Sequence, residues 1–258
     1  MKKIADLFIS ILFGLIILIF SVVPTLLSIY FRADNEQVVL IQGTFLYLSL
    51  IPAFIYIHFY NKKEGVEKIQ IFKMNKKGVY LSLFFIPLFL VIFPYSIEGV
   101  NTSYIFLYAF LYLAVGLAEE VYFRGIILKR LKRSYSWLSV IILSSLIFAL
   151  AHGSHLIFGE GLDAVWLTVK NAFIFGIMAS EVAYLTDNLS VLILIHFLFD
   201  FEGAIITGFN AGINLYIKWG IMLLYIIYLT IIILIFTNKK NNNKEVDEEP
   251  LTEENVVN

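Results

Sequence analysis

The sequence predicts an all-α, polytopic membrane protein, and three observations carry that reading. Of the 258 residues, 60% are hydrophobic and 16% aromatic, whereas a soluble domain is usually about 45–50% apolar. The apolar residues fall in runs close to the roughly 20 residues that a helix needs to cross hydrocarbon. The basic residues gather between alternate runs, as they do in short cytoplasmic loops. The net charge of -1 says little, because the charges are segregated rather than balanced locally, and no nucleic-acid partner is expected. The absence of cysteine excludes disulfides, thiolate metal sites and a cysteine nucleophile.

Taken in order, the first run, 4–30, is too long for a signal-peptide core and is followed by no small-residue cleavage site. It reads as a retained helix. Further runs at 38–60, 79–95, 104–128, 137–152, 164–185, 189–206 and 215–236 bring the expected spans to about eight. Lys2 and Lys3, then Lys62, Lys63, Lys68, Lys73, Lys76 and Lys77, then Lys129, Arg130, Lys132 and Arg133, and finally Lys239, Lys240 and Lys244 all fall on one side. The alternate loops hold Arg32 with Asp34, Glu36, Glu98, Glu160 and Asp163. Both termini are therefore expected in the cytoplasm. The turn Thr186-Asp187-Asn188 is too short to contribute. Residues 1–237 read as one transmembrane domain and 238–258 as a disordered polar tail. No internal repeat is visible.

Within 104–128, Glu119, Glu120 and Arg124 interrupt an otherwise apolar run. Each such group costs about 2.5–3.5 kcal/mol in hydrocarbon even on lenient scales. Residues four apart share a helix face, so Glu120 and Arg124 read as a structural ion pair. Glu119 points about 100° away and has no local partner. His152 closes a further apolar run, and His196 and Asp200 lie four apart on a third. At about 1.5 Å per residue, Glu119 sits ~15 Å from Lys129, His196 ~12 Å and Asp200 ~18 Å from Asn188, whereas His152 lies ~22 Å beyond Trp137. Three of the four converge in depth. His152 needs a bend or tilt to join them.

Two imidazoles, a carboxylate and a further Asp permit two chemistries. Glu119, His152 and His196 could hold a divalent metal such as zinc with an open position for water. Alternatively, Glu119 takes a proton from water, helped by His152, while His196 and Asp200 steady the tetrahedral oxyanion. Asp200 could instead only hold the His196 tautomer. Each route ends in hydrolysis of an amide bond. No His-Glu-x-x-His helix or Gly-x-Ser-x-Gly elbow is present. Of the other polar residues, His155 reads as a solvated loop residue, His58 as a cation at a helix end, and Lys170, Asn171 and Glu181 as cavity-lining or snorkelling.

Glu119-Glu120-Val121-Tyr122-Phe123-Arg124 resembles the Glu-Glu-x-x-x-Arg motif of the CPBP family, the type II CAAX prenyl endopeptidases and their bacterial relatives, also called the Abi or bacteriocin-processing group. Phe148 to His152 resembles its Phe-x-x-x-His motif and His196 to Asp200 its His-x-x-x-Asn/Asp motif. The three occur in order across 104–200. The resemblance implies an eight-helix membrane endopeptidase in which Glu119 and His152 activate water, His196 and position 200 form the oxyanion site, and Glu120, Arg124 and Phe148 support them. It also implies a hydrophobic or membrane-bound peptide as substrate. Asp200 stands where the eukaryotic relatives typically carry Asn, which weakens a direct donor role. A Lys-, Ile- and Asn-rich chain without Cys suggests the plasma membrane of a low-GC Gram-positive bacterium, where a prenylated CAAX substrate is not expected. Roles in bacteriocin immunity or secreted-peptide maturation follow by resemblance. Two other classes use the same residues: a non-proteolytic immunity or scaffold protein, and a transporter with Lys170, Asn171 and Glu181 along its path. The absence of a repeat counts against the transporter.

Overall fold

Backbone polar groups that enter hydrocarbon must pair within their own segment, and the apolar runs of this chain do so as helices. A computed structural model describes residues 2–72, 76, 102–205 and 211–247. Helix α1 spans Lys2–Tyr30 with Pro24 inside it. Hydroxyls of Ser10, Ser21, Thr25 and Ser28 bond back to the carbonyl four residues earlier, so these polar groups are satisfied inside an apolar helix. The chain reverses at Arg32, whose φ of 52° is left-handed. Helix α2 (Asn35–Asn61) then starts at a capping box, with Asp34 and Gln37 bonding each other's backbone.

Helix α3 begins over Thr102–Glu120, widens into a π-helical stretch at Val121–Ile127 and returns to α geometry over Leu128–Lys132. Helix α4 (Trp137–Ala151) tightens into a 3-10 turn at His152–Leu156. Helices α5 (Leu162–Thr186), α6 (Leu189–Ile205) and α7 (Ala211–Asp247) complete the described chain. It contains no strand among the described residues. Among the described residues, six helices are long and apolar enough to cross a membrane: α1, α2, α3, α4 with its 3-10 turn, α5 and the 219–238 part of α7. α6 forms as expected but has 17 residues. The span expected at 79–95 lies outside the described residues.

α3 is the axis of the bundle. It packs on α2 and α6, α4 packs on α5, and α5 on α7. A Cβ on Gly116 would meet the Phe197 nitrogen at 3.0 Å and the Ile193 oxygen at 3.1 Å, so glycine is what lets α3 and α6 touch backbone to backbone. Gly176 does the same for α5 against Ser145 of α4. Outward faces carry leucine, isoleucine and phenylalanine, whereas Glu120, Arg124, Glu181 and His196 are buried inside. This distribution suits lipid outside and a polar interior.

Two expectations change. The tail was expected to be disordered from 238, yet α7 runs on to Asp247. Once a span has nucleated a helix, each added residue needs only propagation, and no proline or glycine occurs between 238 and 247. α4 also stops one residue short, at Ala151, and its 15 residues reach only about 22 Å. His152 therefore lies inside the span of roughly 30 Å of hydrocarbon, on a turn instead of a helix.

The connections marked by basic residues meet on one face. Arg130 pairs with Asp6 at 3.2 Å and bonds Tyr56 at 2.7 Å. Tyr135 donates to the Lys3 carbonyl at 3.0 Å. The segment after α2 is strapped beneath α3. Asn61 exchanges two hydrogen bonds with the Ile69 backbone, and Glu67 pairs with Lys129 at 3.0 Å and Lys132 at 3.2 Å. Lys129 also reaches Asp187, which brings the α5–α6 turn to the same face.

Candidate active site

The site starts where α3 changes geometry. Glu119 and Glu120 are the last α-helical residues before the π stretch, and Arg124 lies within that stretch. π segments of this kind occur frequently at functional sites. Arg124 Nη1 donates to Glu120 Oε1 at 3.0 Å, with both side chains wholly buried. Arg124 Nη2 reaches the Gly176 carbonyl at 3.5 Å, and its guanidinium lies 4.3 Å from the centre of the Phe148 ring. The expected ion pair is present. It also has a second duty, since Glu120 Oε1 lies 2.8 Å from His196 Nδ1.

His196 is thus fixed from α3. Its Nε2 lies 3.4 Å from Asp200 Oδ2, one turn further along α6, and 3.6 Å from Glu119 Oε2. Three carboxylates from two helices surround one imidazole. Aromatic rings close the other sides, with Phe175 at 4.7 Å and Phe148 at 6.0 Å. His152 is held separately. Its Nδ1 lies 3.0 Å from the Phe148 carbonyl, which can only accept, so Nδ1 carries the hydrogen and Nε2 is left as an acceptor.

Two cavities flank these groups. The larger, about 380 Å³, is lined by His152, Asn171, His196 and Asp200 among apolar walls that include Phe148, Phe175 and Trp219. The smaller, about 110 Å³, is lined by Glu119, His152, Ser21, Ser154 and His155. His152 is common to both. Glu119 Oε2 is buried and has no hydrogen-bond partner among the described residues. Apolar side chains, among them Ile17, Leu18 and Phe123, form the rest of that cavity's wall, and the orphaned carboxylate oxygen is a polar point on it where a water could bond.

The structure therefore brings Glu119, Glu120, Arg124, Phe148, His152, His196 and Asp200 to one locus. Other expectations divide. Asn171 lines the larger cavity, but Lys170 is exposed, and Glu181 turns away to accept from Thr230 Oγ1 of α7 at 2.6 Å. Glu181 has its own partner and is neither cavity-lining nor snorkelling. His58 is exposed in the last turn of α2, as expected. His155 is no simple loop residue. Its ring stacks on His152 at 6.4 Å and 6°, and its Nδ1 lies 2.6 Å from Glu160 Oε1. Its position three residues after His152 was the available signal. Phe175 gave none, because it is one more apolar residue in an apolar helix.

No three His, Asp or Glu side chains among the described residues are arranged to hold a metal ion, so the expected set Glu119, His152 and His196 does not fit one in this arrangement.

Comparison with curated proteins and with solved structures returned no match. Comparison with family models matched residues 101–201 to the family described as type II CAAX prenyl endopeptidase, Rce1-like. That segment runs through α3 to α6 and contains every residue of the cluster around His196. The family is one of CAAX-type intramembrane proteases, part of the CPBP group. Residues 101–201 thus carry the type II CAAX prenyl endopeptidase, Rce1-like signature that the three short motifs foreshadowed.

Proposed function

We propose that this protein is an intramembrane endopeptidase that hydrolyses a peptide bond in a hydrophobic or membrane-bound peptide. The observation that carries the proposal is Glu119 Oε2, a buried acceptor with no hydrogen bond among the described residues, beside a small cavity shared with His152. A water there would donate one hydrogen to Glu119 and another to His152 Nε2. Its oxygen then attacks the scissile carbonyl, entering from the larger cavity that His152 also lines. Carbon gains the hydroxyl, the C–N bond breaks, and the proton taken by Glu119 passes to the leaving amine. His196, held at Nδ1 by Glu120, offers Nε2–H toward the developing oxyanion, and Asp200 steadies that imidazole.

Arg124 and Phe148 act one step back. The guanidinium compensates Glu120, which frees Glu120 to position His196. The leucine, isoleucine and phenylalanine on the outer faces support a reaction within a membrane, and the lack of Cys with a Lys-, Ile- and Asn-rich chain supports a bacterial plasma membrane. Bacteriocin immunity or maturation of a secreted peptide is the matching role.

The test is cleavage of a panel of hydrophobic leader peptides by purified protein in nanodiscs, with products read by mass spectrometry. Wild type should give products and Glu119→Gln none, while a strong chelator reports whether a divalent cation participates. Equal product from both proteins would remove Glu119 from the chemistry. Immunity of cells that survives Glu119→Gln would favour a non-proteolytic scaffold.

A further inference from the structure

We infer that Asn171 is a further catalytic residue, whose carboxamide donates a hydrogen bond to the scissile carbonyl oxygen and to the oxyanion it becomes. The inference rests on the peptide hydrolysis proposed above. A tetrahedral oxyanion needs donors aimed at it. Asp200, the polar neighbour of His196 in the larger cavity, is an acceptor when ionised and has no hydrogen to give. His196 alone supplies one N–H, and its other nitrogen is committed to Glu120.

Of the other donors on the cavity wall besides the two histidines, only Thr168 makes a hydrogen bond among the described residues, and Tyr112 and Trp219 stand on α3 and α7 rather than on α5. Thr168 Oγ1 donates to the Ala164 carbonyl at 3.0 Å. The Tyr112 phenol has the Asp200 carboxylate as its charged neighbour. Trp219 packs its ring against Phe199 at 5.9 Å. Asn171 differs. It lines the cavity, and its amide makes no hydrogen bond among the described residues. It also lies one helical turn before Phe175, whose ring rests 4.7 Å from that of His196, so both occupy the α5 face that walls the site. Asn171 is partly exposed on this cavity, so its amide is open to a polar group that enters. A peptide carbonyl in the cavity is such a group.

Steady-state kinetics in nanodiscs, on the leader peptide that wild type cleaves best, test this. Asn171→Asp keeps the shape and removes the donor, and Asn171→Leu keeps the volume and removes all polarity. Both should lower kcat about 10²–10³-fold, the usual cost of one oxyanion donor, with KM within threefold of wild type. In an Asp200→Asn background, which restores an amide beside His196, the loss from Asn171→Leu should shrink at least tenfold. A kcat within threefold of wild type for Asn171→Asp, or a loss confined to KM, overturns the assignment while leaving the peptidase standing. Absence of any Glu119-dependent product overturns both. Should Asn171→Leu fail to fold, Asn171→Asp carries the test alone.

Discussion

At the scale of single residues, the cluster is held together by one oxygen. Glu120 Oε1 accepts from Arg124 and meets His196, and all three side chains are buried. Charges in such a place are tolerated only in company, and removing one partner of a buried pair commonly costs about 3–5 kcal/mol because the other charge is left stranded. Arg124→Ala is therefore expected to lower stability by about that amount, read as a sharp drop in the thermal midpoint in detergent, and to abolish activity as well. Arg124→Lys keeps the charge but not the stack on Phe148 or the reach to Gly176, and should recover stability only in part. Unchanged midpoints for both variants would contradict the structural role given to this pair. The ion pair itself was legible from spacing alone, since four residues make a helical neighbour. The second role of Glu120 was not, because nothing in the spacing of positions 120 and 196 sets which of two adjacent glutamates a histidine on another helix will meet.

At the scale of elements, two irregular turns make the site: the π stretch in α3 and the 3-10 turn that ends α4. Neither has a sequence signal as plain as the capping box at Asp34. The apolar runs that predict the helices are silent about local winding, which is decided by packing against neighbours. The strap after α2 is the other element with a consequence. Glu67 is exposed, and although what desolvation it meets would raise its pKa, hydrogen bonding to Lys129, their charge attraction and the charge of Lys132 prevail and hold it below the usual glutamate range. A carboxylate whose folded pKa is depressed contributes stability above its unfolded value, near pH 4.3, and loses it as pH falls through the folded value. Residues 62–72 should thus become open to pepsin as pH drops below about 4, and Glu67→Gln should be nicked there at every pH where pepsin works. Equal resistance of the two proteins would show that the strap is held by Asn61 and Ser190 alone.

At the scale of the molecule, the chain is apolar outside and polar at its centre, and this is why so much of its design is readable in advance. A polar residue in a membrane run has to be there for a reason, so Glu119, His152, His196 and Asp200 stood out from the sequence before their meeting place was visible. Helix periodicity and rise put three of them at similar depths, and the fourth, His152, opens the 3-10 turn after Ala151 and lines both cavities. The aromatic walls, Phe175 above all, and the extension of α7 to Asp247 were hidden, the first among identical neighbours and the second in a segment whose polarity resembles disorder. In the proposed hydrolysis, water activated by Glu119 and His152 attacks the peptide directly. Single-turnover cleavage in H₂¹⁸O tests it most directly. One ¹⁸O should appear in the new carboxylate of the product and none in the protein, with no product from Glu119→Gln. Label recovered in the Glu119 carboxylate, or cleavage by Glu119→Gln at the wild-type rate, would contradict the account.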